Sequence, residues 1–383
     1  MDKELKVGFI SPVDPFLNRK GWSGTYYSTR VALENIGCKV TWISYKNEGF
    51  LLKISSFLYK LLYGRGSTNH FRLNSFLKAR TIDKNLDDFD FIFVPGQSEV
   101  IAGLKTSTPI IYYTDATIPL MNNYYWFGYS NRGIREAIKV EKKASHKTLL
   151  NIYASSWAKE SAIKEYGISE NRAIVLPFGA GLDKSDLASE RVLTTKEKRK
   201  NSINIIFSGV DWKRKGGDIA VKTVEKLNRD GYKAKIYICG IKNLDINIKK
   251  EPYVSYIGFL NKEIPEQYKK YVETYRNSDI LLLPTRAECA GIVFNEASAF
   301  GIPSLTTNTG GIADYVKNGI NGERLPLGAN YEEYAKKIEE WIDNDYLGLL
   351  SKGARKVYEE TNSWEAWGKT FEGLINKMER GEF

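Results

Sequence analysis

Residues 281–305 read LLLPTRAECAGIVFNEASAFGIPSL. With the residues on either side, this stretch spells out a strand, a loop, a helix and a second strand. DILLLP (279–284) is an apolar run of strand length that stops at a proline. IVFNEASAF (292–300) has helical periodicity, and Ile292, Ala299 and Phe300 can share one buried side. The loop TRAECAG (285–291) joins them at the strand's C-terminal end, and IPSLTT (302–307) reads as the next strand. Glu288 lies in the loop and Glu296 about one turn into the helix, eight positions apart.

The same unit recurs in both directions. LKVGFIS (5–11), the loop NRKGWSGTYYS, the helical TYYSTRVALENIG and CKVTWISY (38–45) form it at the start. FDFIFVPG, TPIIYYTD, TLLNIYASS and NRAIVLPFG follow as strands with helical runs between them. GLDKSDLASERVLTTKEKRKNS (181–202) breaks the pattern with polar, aperiodic residues and reads as a linker. INIIFSG, DWKRKGG, GDIAVKTVEKLNRDG and AKIYICG then restart it, and VSYIGFL follows. Strands that alternate with helices make a parallel, doubly wound sheet. The expected fold is therefore α/β with two Rossmann-like domains in tandem, facing a cleft. The expected boundaries are 1–183, a linker at 184–203, 204–362, and a terminal segment at 363–383.

Composition narrows the function. The chain has 383 residues, three cysteines far apart (Cys38, Cys239, Cys289) and two histidines, His70 and His146. Such cysteine usage fits a reduced, cytosolic protein. A histidine-based triad or metal site is not expected. MDKELKVGFISPVD mixes both charges and reads as a first strand rather than a signal peptide, and no run is apolar enough for a spanning helix. Neither half carries G-x-G-x-x-G or a P-loop, which argues against a dinucleotide dehydrogenase and a P-loop NTPase. Residues 1–183 carry 24 basic against 17 acidic residues, 184–203 carry 6 against 3, and 204–383 are balanced at 26 each. The positive excess favours an anionic partner, such as a membrane surface, a phosphorylated acceptor or nucleic acid, or it is a solvated basic face.

The loop–helix junction at 285–300 suits a phosphate-bearing ligand. Gly291 lets backbone come close to a ligand. The N–H groups of Ile292 and Val293 are first-turn donors, ready for phosphate. A carboxylate at Glu296 can accept from two adjacent hydroxyls, as on a ribose, and Glu288 would face the ligand's other end. From spacing alone, Glu296 can equally be a dipole-compensating carboxylate and Glu288 a solvated loop residue.

The E-x7-E motif with its trailing EA..FG.P and GGI.D.V..G.NG resembles the family-4 retaining glycosyltransferases of the GT-B fold. FSGVDWKRKGGDIAVKTVEKL, VSYIGFL and YASSWAKESAIKEYGISENRAIVLPFGAGLD match in family order, over much of residues 150–326. The resemblance implies that Glu296 binds the donor ribose and Glu288 lies at the transferred sugar. It implies that Lys215 meets the donor diphosphate. The family arginine usually stands five residues before that lysine, where this chain has Val210, and Arg214 is the expected stand-in. Outside this context, KRK is a plain charge run. Where the family often has Glu-Gly/Pro-Phe-Gly, this chain reads Glu288-Cys289-Ala290-Gly291, which implies a reshaped sugar subsite. Cys289 reads as a packing residue.

The first half resembles the family more weakly. Gly24, in GWSGTYYS, is the candidate for close approach of acceptor and donor phosphates. The family often has a catalytic histidine where this chain reads IIYYTDATIPL. Asp115 stands there instead, as an acceptor-orienting group or as a helix cap. GFLLKISSFLYKLLYG (49–64) is an amphipathic helix with Phe50, Ile54, Phe57, Leu61 and Leu62 on one face, flanked by Lys53 and Lys60. It can dip residues 50–63 into an anionic membrane surface or pack on the sheet. In WEAWGKTFEGLINKM, Trp364 and Trp367 would anchor a terminal helix that returns to the first domain. Neither DND (343–345) nor DDFD (87–90) belongs to the expected site.

The resulting expectation is a metal-independent, retaining hexosyltransferase without cofactor. It would use a UDP- or GDP-sugar donor and a glycan or lipid-linked acceptor, with no nucleic acid partner. It would be cytoplasmic, with peripheral membrane contact as an option. A nucleotide-sugar epimerase and a non-catalytic GT-B scaffold are the rival readings.

Overall fold

A computed structural model describes residues 4–183, 186 and 202–383. The expected linker at 184–203 falls almost wholly outside the described residues. The chain divides into two compact units, Met1–Pro177 with Trp367–Phe383, and Phe178–Ala366.

The first unit holds a parallel sheet of six strands, ordered β2-β1-β3-β4-β5-β6. These are β1 (Lys6–Ile10), β2 (Lys39–Ile43), β3 (Phe91–Pro95), β4 (Ile110–Thr114), β5 (Leu150–Tyr153) and β6 (Ala173–Val175). The second unit repeats the plan as β12-β11-β10-β7-β8-β9. Its strands are β7 (Ser202–Ser208), β8 (Lys233–Cys239), β9 (Val254–Gly258), β10 (Ile280–Leu283), β11 (Ser304–Thr307) and β12 (Gly322–Leu325). β3, β4 and β10 are buried along their whole length, as strands covered by helices on both faces must be. Hence they read as unbroken apolar runs. β12 carries Gly-Glu-Arg-Leu and has no such run, so only its place beside β11 marks it as a strand.

Strand order decides where a ligand can sit. In the first sheet the chain leaves β1 toward β2 and returns to β1's other side with β3. In the second it leaves β7 toward β8 and β9, then returns to β7's other side with β10. The reversal leaves neighbouring strands whose following loops diverge, and a crevice opens at their C-terminal ends. In the second sheet that crevice lies between the loops that follow β7 and β10. Both carry residues singled out from sequence.

Six helices bear on the two units' packing and on the candidate site: α1 (Thr25–Asn35), α2 (Phe50–Tyr63), α3 (Asn131–Lys147), α4 (Pro265–Arg276), α5 (Ile292–Ala299) and α6 (Trp364–Glu379). Trp367 and Phe371 of α6 are fully buried in the first unit. Their rings stack 4.7 Å apart and meet Phe93 edge-on at 6.1 and 5.7 Å. Trp364 corrects the expectation made for it. Its ring stands over Gly179, where a Cβ would come within 2.6 Å, and its Nε1–H donates to the Ala180 carbonyl at 2.9 Å, all within the second unit. A bulky indole and a glycine lie face to face there, so Trp364 packs on the segment that opens the second unit rather than on the first.

α2 presents its apolar side outward. Leu52, Ser55 and Tyr59 are buried, whereas Phe50 (77% exposed), Leu51, Ile54, Phe57, Leu58, Leu61 (68%) and Leu62 face solvent. Among the described residues, no helix is long and apolar enough to cross a membrane.

A buried carboxyl on α3 supports the loop after β4. Glu141 accepts from Tyr112 Oη–H (3.1 Å), the Ile118 N–H (2.6 Å) and Tyr166 Oη–H. Burial pushes it up to about 7, against the pull of those three donors. A folded-state pKa above the unfolded one means that the folded state binds the proton more tightly. Its contribution to stability is therefore full below the ordinary carboxyl range and is lost as pH rises through about 7. Between about pH 5 and pH 8 the wild type should lose on the order of 3 kcal/mol more stability than Glu141→Gln. Denaturant unfolding of both proteins across that range checks this, and parallel pH profiles would refute it.

Candidate active site

The loop after β7 is built around glycines that only glycine can fill. Gly216 has φ +74°, and a Cβ there would collide with the Pro284 carbonyl oxygen. This brings the loop 209–216 hard against the end of β10. Arg286 fastens the two loops together. Its N–H donates to the Arg214 carbonyl at 2.7 Å, its guanidinium reaches the Lys213 carbonyl, and it grips Asp218 in a two-pronged pair at 3.0 and 2.9 Å. Thr285 Oγ1–H adds a bond to the Arg214 carbonyl at 3.2 Å.

Within that frame Lys215 and Glu288 form an ion pair, both side chains nearly buried. Arg214 Nη1 lies 3.9 Å from the same Glu288 oxygen and donates to the Ala287 carbonyl at 2.9 Å. The residues expected at the diphosphate and at the transferred sugar are thus each other's partners. A buried carboxylate and ammonium compensate each other's charge, and removing one strands the other. Arg214, the expected stand-in for the family arginine, reaches the same carboxylate. Val210 itself is exposed. With Trp212, Gly240, Ile241, Lys242, Asn243 and Phe259 it lines a cavity of about 380 Å³ beyond the ends of β7, β8 and β9.

α5 follows at once. Gly291 is its N-cap and supplies no side-chain cap, which leaves the first turn, with Ile292 and Val293, to the backbone. Gly291 has φ −108°, an ordinary value. Its lack of a Cβ makes room for the Phe294 ring, which fills the place that atom would take. Ile292 is only half-buried, so the buried side of the helix begins at Phe294. Glu296 is 3% exposed, and neither solvated nor paired with Lys215. Its Oε2 accepts from Tyr271 Oη–H at 2.6 Å, and its Oε1 pairs with Lys262. Burial and the neighbouring Glu296 hold the Tyr271 phenol well above its ordinary value, so it stays a neutral donor. Cys289 is buried, as a packing residue would be.

Gly24 and Asp115 belong to the first unit. Trp22, Ser23 and Gly24 take successive left-handed conformations (φ 49°, 57° and 89°) at the head of α1. Strain of this kind in non-glycine residues is held only where surrounding contacts over-determine it. Here the Trp22 ring lies over Gly96, after β3, and within 5.7 Å of the Tyr26 ring. Asp115 is half-exposed after β4, close enough to Tyr26 to help burial and Glu99 hold that phenol above its ordinary value. Gln97 links Tyr26 and Tyr45 through bonds of 2.9 and 2.6 Å. His70, for which no triad or metal role was expected, hydrogen-bonds Ser67 Oγ (2.8 Å) and Ser98 Oγ (3.3 Å), and burial lowers its pKa. Lys262, Tyr271 and Arg286 were not singled out from sequence. Each acts across long stretches of sequence, and none carries a local spacing signal.

Several known proteins are similar to this chain. The family model described as Glycosyl transferases group 1 matches residues 190–363. An uncharacterized 41.2 kDa protein in the cps region of Klebsiella pneumoniae is 28% identical over 194 residues, 50% of this chain and 51% of that one. The chain thus spans about half the length of that relative. The capsular polysaccharide biosynthesis glycosyltransferase CapM of Staphylococcus aureus is 26% identical over 265 residues, 65% of this chain and 69% of that one. The crystal structure of Anabaena HepE in complex with UDP and glucose superposes with a TM-score of 0.61 at 15% identity, over 98% of this chain and 100% of that one. The chain has the GT-B fold, and its residues 190–363 match the group 1 glycosyl transferase family.

Proposed function

We propose that the chain is a retaining glycosyltransferase that moves a hexose from a nucleoside-diphosphate sugar to a hydroxyl of a glycan or lipid-linked acceptor. The observation that carries this is the cluster at the switch point of the second sheet. Lys215 and Arg214 gather on Glu288, in the loop that leads into α5, whose first turn has no side-chain cap, and Glu296 lies about one turn into that helix. A diphosphate needs such cations and backbone donors, and a ribose needs such a carboxylate. HepE, of the same fold, is described in complex with UDP and glucose, which supports the same donor class here.

In this reading Lys215, Arg214 and the N–H groups of Ile292 and Val293 meet the diphosphate. Glu288 positions the sugar, and its pairing with Lys215 holds both side chains in place before the donor arrives. The acceptor oxygen bonds to the anomeric carbon on the face that the diphosphate leaves. The C–O bond to the diphosphate breaks with its electron pair on the phosphate oxygen, which takes the acceptor proton. Retention follows from attack on the leaving-group face. Lys215 and Arg214 stabilise charge that grows as the bond breaks, so they act more strongly on the transition state than on the ground state. Asp115 orients the acceptor hydroxyl, and Gly24 lets phosphate approach the backbone. No metal or cofactor forms part of this reading.

The exposed side of α2 supports a second element, contact with an anionic membrane surface. Seven large apolar side chains of one helix face water, with Lys53 and Lys60 exposed among them. Apolar burial with flanking cations is the combination that binds a helix flat on anionic lipid, and it would place the protein on the cytoplasmic face.

Two experiments test these proposals. Nucleoside diphosphate release should be seen with one member of a UDP- and GDP-sugar panel and should rise with acceptor. Lys215→Ala should lower that rate by about 10²–10³, roughly 3 kcal/mol. A near-wild-type rate in the variant would remove Lys215 from the mechanism, and sugar conversion without release would mean an epimerase. The protein should also sediment with phosphatidylglycerol vesicles and not with phosphatidylcholine vesicles, and a Phe57→Glu, Leu61→Glu variant should stay in the supernatant. Equal sedimentation of variant and wild type would rule out α2 as the contact.

A further inference from the structure

Lys262 follows β9 in the stretch GFLNKEIP and belongs to no motif. Its ammonium nonetheless joins three segments of the second unit. It pairs with Glu296 Oε1 on α5, donates to the Gly181 carbonyl at 3.2 Å, and lies 4.3 Å from the centre of the Tyr271 ring on α4. The segment that carries Gly181 passes so close that a Cβ there would stand 3.0 Å from Glu296 Oε1 and 3.4 Å from Lys262 Nζ. The Lys262 side chain is about one-third exposed, whereas that of Glu296 is 3% exposed. The ammonium therefore flanks, at the more exposed edge, a carboxylate that is itself largely buried.

A carboxylate has about four acceptor positions, two on each oxygen. Tyr271 takes one on Oε2 and Lys262 takes one on Oε1. Among the described residues one position remains on each oxygen, which is the set that a vicinal diol with two O–H donors requires. Tyr271 is neutral and cannot balance the buried charge. A buried carboxylate left without a cation is uncompensated, which is costly.

We propose that Lys262 is a donor-positioning residue. Its ammonium balances the buried charge of Glu296 and fixes the carboxylate plane, so that the remaining acceptor on each oxygen meets the ribose 2′- and 3′-hydroxyls. This rests on the reading of Glu296 as the ribose carboxylate and adds a residue to it. Lys262 would act through Glu296 and need not touch the reacting atoms.

The test is calorimetric titration of the full chain, as wild type, Lys262→Met and Lys262→Arg, with UDP, GDP and their 2′,3′-dideoxy forms. The wild type should prefer the ribose form of whichever diphosphate it binds, by about tenfold to a hundredfold. Lys262→Met should lose most of that preference through weaker binding of the ribose form alone. Its unchanged affinity for the dideoxy form would show that the protein is folded. Lys262→Arg should recover much of the preference. A full ribose preference in Lys262→Met overturns the inference and leaves Glu296 in its role. No ribose preference in the wild type, or no binding of either diphosphate, overturns the ribose reading and the inference together.

Discussion

The buried pair of Lys215 and Glu288 is the contact on which the candidate site depends. It closes two loops that are neighbours only because strand order reverses between β7 and β10. Around it, Gly216 allows the loops to touch, and Arg286 ties them by backbone and side chain. Two charges withdrawn from water attract each other strongly but are costly to bury. Such a pair is weak evidence for stability and better evidence for a site that must present charge to a ligand. Three donor protons on the ammonium, only one of them needed by Glu288, leave Lys215 able to serve an anion as well.

Much of this was legible in the sequence. The unbroken apolar runs of β3, β4 and β10 can be nothing but covered strands once helices alternate with them. Glu288 and Glu296 are marked by the loop–helix junction they flank, and Lys215 by the family resemblance alone. Partner choice was not legible, because spacing along the chain carries no information about which loop lies opposite. Glu288 was expected near a sugar, and it lies on Lys215. Glu296 was expected to await a ligand, and it is already held by Tyr271 and Lys262, which stand 25 and 34 residues before it. Gly291 was read as letting the backbone come close to a ligand, and the Phe294 ring lies where its Cβ would be.

The helix at 50–63 shows the same limit from another side. Amphipathic periodicity identifies an apolar face but does not say whether a sheet or solvent meets it. Here Leu52 and Tyr59 turn inward, and the richer face with Phe50, Phe57 and Leu61 turns outward. The terminal tryptophans likewise look alike in sequence, three positions apart. One enters the first unit's aromatic core and the other lies against Gly179 and Ala180 of the second. Glu141 is the reverse case. A lone glutamate in a charged helix gives no sign of burial, yet it supports the turn that follows Asp115.

The central claim is that the crevice beside β7 and β10 holds a nucleoside diphosphate in one orientation. A crystal structure of the full chain grown with UDP or GDP tests this directly. The account predicts the diphosphate against Lys215, Arg214 and the first turn of α5, with both ribose hydroxyls on the two oxygens of Glu296. A nucleotide bound with its ribose away from Glu296, or bound elsewhere in the chain, would contradict it.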